Sequence, residues 1–140
     1  MIPWSFKDYW TEDGRNLIQE WYEDQGEEVQ AAFDGTLLRL RTVDDWLDRK
    51  VKEFDLLRKQ HNGLGELRFC VWGNHPGTGK LFRRRFRPAG IWRPKKREFI
   101  LLLGCEKRDG NYIPHGAFDL ALQYKRLLVE QRRGTIHEHV

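Results

Sequence analysis

The chain has few of the features that mark membrane or secreted proteins. No apolar run approaches the roughly 20 residues that a membrane-spanning helix needs. The first ten residues, MIPWSFKDYW, lack the charged start and apolar middle of a signal peptide. We therefore expect a cytoplasmic protein with no membrane partner.

Metal and cofactor motifs are also scarce. The two cysteines, Cys70 and Cys105, lie inside apolar runs without CxxC or Cys/His spacing, which predicts two free core thiols and no zinc site. The HEH at residues 137–139 falls in a terminal segment, residues 134–140, that we predict to be a flexible tail. GxSxG, HExxH and P-loop motifs do not occur. The sequence therefore predicts no metal and no cofactor.

Acidic residues are scarce in the second half of the chain. Residues 1–62 hold 9 basic and 14 acidic side chains, whereas residues 63–140 hold 16 basic and 7 acidic ones. Between Lys80 and Arg97 there are nine Lys or Arg residues and no acid. A basic half of this kind favours a polyanionic partner, most commonly nucleic acid.

The apolar pattern predicts helices first and strands later. Residues 4–10 alternate as an edge strand, and two amphipathic helices follow, one ending at Gly26 and one starting at Glu27. A further short helix would bury Val43, Trp46 and Leu47. Strands are predicted in the segments ELRFCVWG, KLFRRRFR and EFILLLGC, with PAGIWRPKK as a connection and EKRDGNYIP leaving the sheet. A last helix begins at Pro114 and ends at Gly134.

This order predicts a single α+β domain over residues 1–140. An N-terminal strand and a helical hairpin would pack on a mainly antiparallel sheet, with a C-terminal helix after it. The three sequential strands would form a meander. The last of them, apolar on both faces, would be its covered central strand.

The middle predicted strand places Arg83, Arg85 and Arg87 on one face, which must meet solvent or a polyanion because unpaired buried charge is unfavourable. Arg68, Lys107 and Arg108 would converge with them in one concavity and bind phosphate. A solvated edge strand kept soluble by its charge is the alternative. Two further sets of candidates lie nearby, aromatic rings for base stacking (Trp72, Phe82, Trp92, Tyr112) and proton carriers (Glu66, His75, Lys107, Tyr112, His115).

Several of these segments together resemble one protein family. GLGELRF at residues 63–69, a second basic strand, an apolar strand ending in GCEKRDGNYIP and a terminal helix HGAFDLALQYKRLL are similar to the RelE/ParE toxin superfamily, in particular its phage-derived, HigB-like branch. The helical pair LIQEWYEDQGEEVQAAFDGTLLRL also fits this pattern. The resemblance spans residues 4–130 and implies a RelE-like fold.

The resemblance implies a type II toxin, an endoribonuclease that cleaves mRNA on the ribosome through attack of a 2′-hydroxyl on the adjacent phosphate. A helix-turn-helix antitoxin would be its protein partner. The catalytic residues that we predict on this basis are Arg68, Lys107, Arg108, Tyr112 and His115. The predicted nucleic-acid-binding residues are Lys80, Arg83, Arg84, Arg85, Arg87, Trp92, Lys95 and Lys96. Two alternatives stay open, a ParE-like toxin that inhibits DNA gyrase and a non-catalytic nucleic-acid-binding module.

Overall fold

The computed structural model describes residues 2–140, which contain three α-helices and ten β-strands. The helices are α1 Leu17–Glu23, α2 Glu27–Arg41 and α3 Ala117–Val129. The strands are β1 Ser5–Trp10, β2 Phe54–Leu56, β3 Leu64–Leu67, β4 Phe69–Asn74, β5 Leu81–Phe86, β6 Ala89–Arg93, β7 Glu98–Leu103, β8 Glu106–Arg108, β9 Asn111–Ile113 and β10 Thr135–Glu138. Short 3-10 turns cover Lys59–His61 and Pro94–Lys96.

The strands form two sheets, and the architecture is α+β, as the sequence predicts. The larger sheet has the order β10-β1-β7-β6-β3-β2, with β1 and β7 parallel and every other neighbouring pair antiparallel. The smaller sheet has the order β4-β5-β8-β9 and is antiparallel throughout.

The predicted two-sided burial of the apolar strand is confirmed in β7. Phe99 and Leu101 belong to the apolar cluster under α1 and α2, while Ile100 and Leu102 belong to the cluster under α3. Because successive side chains of a strand point to opposite faces, this one strand supports helices on both faces of the larger sheet.

The three predicted sequential strands do not form one meander. The segment ELRFCVWG splits at Arg68 into β3 of the larger sheet and β4 of the smaller sheet. The segment predicted as a connection, PAGIWRPKK, contributes β6, which pairs with β3 and β7. The basic strand β5 therefore lies in a different sheet from β7.

The segment EKRDGNYIP leaves the sheet of β7, as predicted, and then forms the β8–β9 hairpin of the smaller sheet. Its two-residue turn is Asp109–Gly110, and both residues have positive φ, 51° and 80°. Asp-Gly is a favoured sequence for such a turn, because glycine takes positive φ without steric strain. The turn chemistry that predicts this hairpin is thus present in the sequence.

The short helix predicted after α2 is also absent. Asp45 and Asp48 each accept a hydrogen bond from the backbone N–H two residues on, at 2.9 Å in both cases, so the side chains stabilise turns in place of helix. Trp46 is buried as predicted, but Leu47 is exposed.

Both ends of the chain differ from expectation. The first strand is not an edge strand, because β10 pairs with it, and the predicted flexible tail is this paired strand. His139, just beyond β10, lies with its Nδ1 2.7 Å from Oδ1 of the buried Asp8, whose other oxygen accepts a hydrogen bond from Asn16. A buried polar contact therefore fixes the C-terminal segment against the fold.

A pair of glycine substitutions tests the packing between β6 and β7. A Cβ at Gly90 would lie 2.3 Å from the backbone oxygen of Ile100 and 2.6 Å from the ring of Phe99, whereas a Cβ at Gly35 in α2 would have only Arg39 Nη1 nearby, at 3.5 Å. We expect Gly90→Ala to lower the free energy of unfolding by about 2 kcal/mol. Gly35→Ala should raise it by about 0.5–1 kcal/mol, because alanine has the higher helix propensity. Urea denaturation measures both values, and a Gly90→Ala protein as stable as the wild type would contradict the described packing.

Candidate nucleic-acid interface

The smaller sheet collects basic and aromatic side chains on one face. Arg85 of β5 pairs with Lys107 of β8, which pairs with Tyr112 of β9, and Trp72 of β4 pairs with Arg83 of β5. Directly opposite residues of an antiparallel pair point to the same face. We call this surface, made of Trp72, Arg83, Arg85, Lys107 and Tyr112, the basic face.

Three cations of the basic face are free of carboxylate partners. Arg83 and Arg85 are exposed and Lys107 is half-buried. None of the three forms an ion pair with any residue in the described range 2–140. They are therefore available to an anionic ligand.

A cleft of about 720 Å³ opens beside these cations, where β5 and β8 diverge. The two strands pair only at Arg85–Lys107 and Phe86–Glu106. The charged residues that line the cleft are Arg83, Arg84, Arg85, Glu106, Lys107, Arg108 and Asp109, five cations against two carboxylates, and His75 lines it too. The predicted convergence of the arginine run with Lys107 and Arg108 thus occurs, although through pairing with β8 and not with β7.

Two of these arginines hold the sheet together. Glu106 is buried and accepts hydrogen bonds from Arg84 (Nε at 3.1 Å, Nη2 at 2.9 Å) and from Arg108 (Nη2 at 3.0 Å). Burial pushes the pKa of Glu106 upward, but the hydrogen bonds and charges of the two arginines outweigh it, so the pKa is lowered. Arg84 and Arg108, which the sequence predicts as binding and catalytic residues, both form ion pairs with Glu106, whose single negative charge offsets one of their two positive charges.

A second buried carboxylate lies at the junction between the two sheets. Glu66 is only 3% exposed, and its Oε1 accepts hydrogen bonds from Nε and Nη2 of Arg68, at 3.0 and 2.9 Å. Arg68 also donates to Asp55, at 2.8 Å. Burial raises the pKa of Glu66, and Arg68 and Arg87 offset part of this effect. The other oxygen, Oε2, has no hydrogen-bond partner among residues 2–140.

Tyr112 connects the basic face to this buried carboxylate. Its pKa is raised by burial and by the charges of Glu66 and Cys105, while Arg87 and Arg68 lower it. Lys107 Nζ lies 5.8 Å from the centre of the Tyr112 ring. Of the predicted catalytic residues, Arg68 contacts Glu66 and Lys107 lies next to Tyr112. Glu66 is one of the five proton carriers that the sequence analysis names.

Other predicted residues lie elsewhere. Trp92 packs in the core, with its ring 6.3 Å from Trp4 and 5.6 Å from Phe54, and is not a base-stacking residue of this face. Lys95 and Lys96 lie in the 3-10 turn between β6 and β7 of the larger sheet and do not line the cleft. Lys80, one residue before β5, does not line it either.

His115 and Arg87 occupy positions of their own. His115 lines a separate cavity of about 220 Å³ with Tyr112, His61 and Asp119, in which His61 Nε2 lies 2.6 Å from Asp119 Oδ1. Arg87 follows β5, and its Nη1 donates to the backbone oxygen of Phe86 at 2.8 Å. Arg87 does not line the cleft, but its positive charge lowers the pKa of both Glu66 and Tyr112.

The two cysteines have different surroundings. Cys105 is buried, its Sγ donates to the backbone oxygen of Arg87, and burial raises its pKa to about 12. Cys70 is exposed and pairs with Arg85 across β4 and β5. The prediction of a core thiol is confirmed for Cys105 and wrong for Cys70.

No family model, curated protein or solved structure matches the chain. Among residues 2–140, no helix is long and apolar enough to cross a membrane. Within the same range, no group of three or more His, Cys, Asp or Glu residues is arranged to hold a metal ion.

The two buried carboxylates predict opposite pH dependences of stability. Glu66 has a raised pKa in the folded protein, so its contribution is favourable at low pH and is lost as the pH rises from 4.5 through the raised value. Glu106 has a lowered pKa, so its contribution is present above pH 4.5 and is lost as the pH falls through the folded value.

We therefore expect the Tm of Glu66→Gln, relative to that of the wild type, to increase between pH 4.5 and pH 8. The Tm of Glu106→Gln should fall below that of the wild type at pH 7 and approach it at low pH. Thermal unfolding across this range measures both differences. Parallel Tm curves for wild type and Glu66→Gln would contradict a raised pKa for Glu66.

Proposed function

We propose that the protein is an endoribonuclease of the toxin class that binds single-stranded mRNA on the basic face and cleaves it beside Glu66. The observation that carries this proposal is the row Arg85, Lys107 and Tyr112, in which two cations have no carboxylate partner and the pKa of the tyrosine is raised in part by the charge of the buried Glu66. Phosphate-binding groups and a proton carrier in one row are what metal-independent RNA cleavage requires.

In the binding step, phosphates lie on Arg83, Arg85 and Lys107. Guanidinium groups suit phosphate because their planar fork donates two parallel hydrogen bonds. Arg84 and Arg108 contribute by placing these side chains, since both guanidinium groups are held by hydrogen bonds to Glu106.

In the chemical step, Glu66 takes the proton of the 2′-hydroxyl as that oxygen forms a bond to the adjacent phosphorus. The bond from phosphorus to the 5′-oxygen breaks, and Tyr112 donates a proton to the leaving oxygen. The products are a 2′,3′-cyclic phosphate and a free 5′-hydroxyl. Arg87 and Lys107 stabilise the negative charge that builds on the phosphorane.

Arg68 controls access to the carboxylate. Its side chain is 42% exposed and donates two hydrogen bonds to Glu66, whose side chain is 3% exposed. The ribose reaches Glu66 only when the guanidinium turns outward, and a bound phosphate provides the anion that draws it there.

The remaining partners follow from the resemblance to RelE-like toxins. An antitoxin would inhibit the protein by covering the basic face with acidic side chains, and the ribosome would present the mRNA. Arg83, Arg85 and Lys107 are the residues that such a partner must neutralise.

A non-catalytic single-strand-binding module is the second candidate. It is favoured by the pairing of Arg68, Arg84 and Arg108 with carboxylates, which leaves fewer free cations near the scissile bond. Both candidate functions predict that the protein binds single-stranded RNA, but only the nuclease predicts that the RNA is cleaved.

The binding step predicts a change in salt dependence. Each of Arg83→Ala, Arg85→Ala and Lys107→Ala should weaken binding of a single-stranded RNA and lower the slope of log K against log salt by about 0.7, the value for one phosphate contact on a single strand. Lys95→Ala and Lys96→Ala are the matched controls, because these lysines lie in the other sheet, and should leave the slope unchanged. Titrations at several salt concentrations measure the slopes, and equal losses in both groups would argue against the basic face.

The chemical step predicts that Glu66→Gln and Tyr112→Phe lower the cleavage rate of single-stranded RNA in EDTA by about 10²–10⁴-fold, since each removes one proton transfer. RNA affinity should stay within about twofold. A substrate with a 2′-deoxy sugar at the cleaved position should resist the wild type, because the nucleophile is missing.

The same variants distinguish the two candidates in cells. Expression of the wild type without an antitoxin should arrest growth and create new transcript ends, and Tyr112→Phe should do neither. Binding without cleavage by the purified wild type would support the binding module, and cleavage of the 2′-deoxy substrate would contradict the proposed chemistry.

A further inference from the structure

Trp72 is a large aromatic side chain that the fold leaves uncovered. It is 64% exposed on β4 and makes no aromatic ring contact with any other residue of the described range. The other five tryptophans each contact at least one ring, including Trp10, which is 36% exposed and packs on His137. The indole therefore buries little apolar surface, and its contribution to stability is small.

We propose that Trp72 stacks an unpaired base of the RNA strand whose phosphates lie on Arg83 and Arg85, so that the protein selects single strands over duplexes. This inference rests on the proposed function, because it takes the basic face as the RNA-binding surface. It adds the residue that recognises the base and the reason why single strands are preferred to duplexes.

The register of the smaller sheet places the groups that stacking requires. Trp72 pairs directly with Arg83, which puts their Cβ atoms about 5 Å apart on the same face. Arg85 lies two residues further along β5, about 7 Å away, and Lys107 lies on the next strand. A strand of RNA that sets one base on the indole thus has cations beside the adjoining phosphates.

The indole is held on a rigid support. β4 and β5 pair over six consecutive residues, from Phe69–Phe86 to Asn74–Leu81. Leu81, which is 71% exposed, extends the apolar surface on the same face. A flat, fixed platform of this kind accepts any base, since every base has a π-face, but it does not reach bases that are stacked inside a duplex.

The charge of the surface favours RNA over a protein as the occupant. The cations beside Trp72, Arg83 and Arg85 of β5, have no carboxylate partner in the described chain, so the surface suits a ligand that brings several negative charges together with flat apolar groups. A single-stranded nucleic acid brings both in every repeat unit.

The test uses the full-length protein and three fluorescent probes of equal length, which are a decamer of uridylate, an abasic decamer with the same phosphates and a decamer duplex. All three carry 2′-deoxy or 2′-O-methyl sugars to prevent cleavage. We expect Trp72→Ala to weaken binding of the uridylate decamer about 10- to 100-fold and binding of the abasic decamer less than about twofold. Trp72→Tyr should keep most of the affinity, and the control Trp10→Ala should keep all of it.

The outcomes separate this inference from the proposed function. Equal affinities of wild type and Trp72→Ala for the uridylate decamer, or equal losses on the base-bearing and abasic probes, would overturn the stacking role. A Trp72→Ala protein that loses self-association while keeping its RNA affinity would assign Trp72 to a protein contact and overturn it as well. If the wild type discriminates between the probes through Trp72 but never cleaves unmodified RNA, the stacking site stands and the nuclease proposal fails.

Discussion

The contact on which the basic face depends is the buried carboxylate of Glu106 between Arg84 and Arg108. It joins β5 to β8 where the two strands share only two residue pairs. Because side chains alternate along a strand, fixing Arg84 inward fixes Arg83 and Arg85 outward. The same ion pairs turn Lys107 to the outer face between Glu106 and Arg108. The outward position of Arg83, Arg85 and Lys107 therefore follows from the ion pairs that Glu106 forms on the opposite face of the sheet.

The arginines of β5 thus differ in role, depending on whether a carboxylate lies beside the side chain. Arg84 is matched by a carboxylate that two arginines keep ionised, and removing that carboxylate would leave a partly buried cation without a partner. Arg83 and Arg85 have no such partner and stay in contact with solvent. Counting arginines in the sequence therefore overstates the unpaired charge of this segment, whereas following the alternation separates Arg83 and Arg85 from the paired Arg84.

Period-two alternation predicted the faces of β4, β5 and β7, because that property is local to each strand. The sequence also contained the signal for the β8–β9 hairpin, the dipeptide Asp109–Gly110, which the prediction did not use. Alternation within a strand does not predict which strands pair with each other. β5 pairs with β8 although two strands of the other sheet, β6 and β7, lie between them in the chain, and β10 pairs with β1 from the far end of the chain. The packing of Trp92 could not be predicted from its strand either, because its ring contacts Trp4 and Phe54, which lie far away in sequence.

Arg68 links the two halves of the proposed function. Its guanidinium binds Glu66 and Asp55 in the free protein, and a phosphate on the basic face competes for the same donors. When Arg68 moves to the phosphate, Glu66 loses the hydrogen bonds and the charge that most strongly oppose the effect of burial on its pKa. Its affinity for a proton then rises as the substrate arrives, which is the change that a general base needs. In the proposed mechanism, binding of the phosphate and activation of the base would therefore result from the same movement of Arg68.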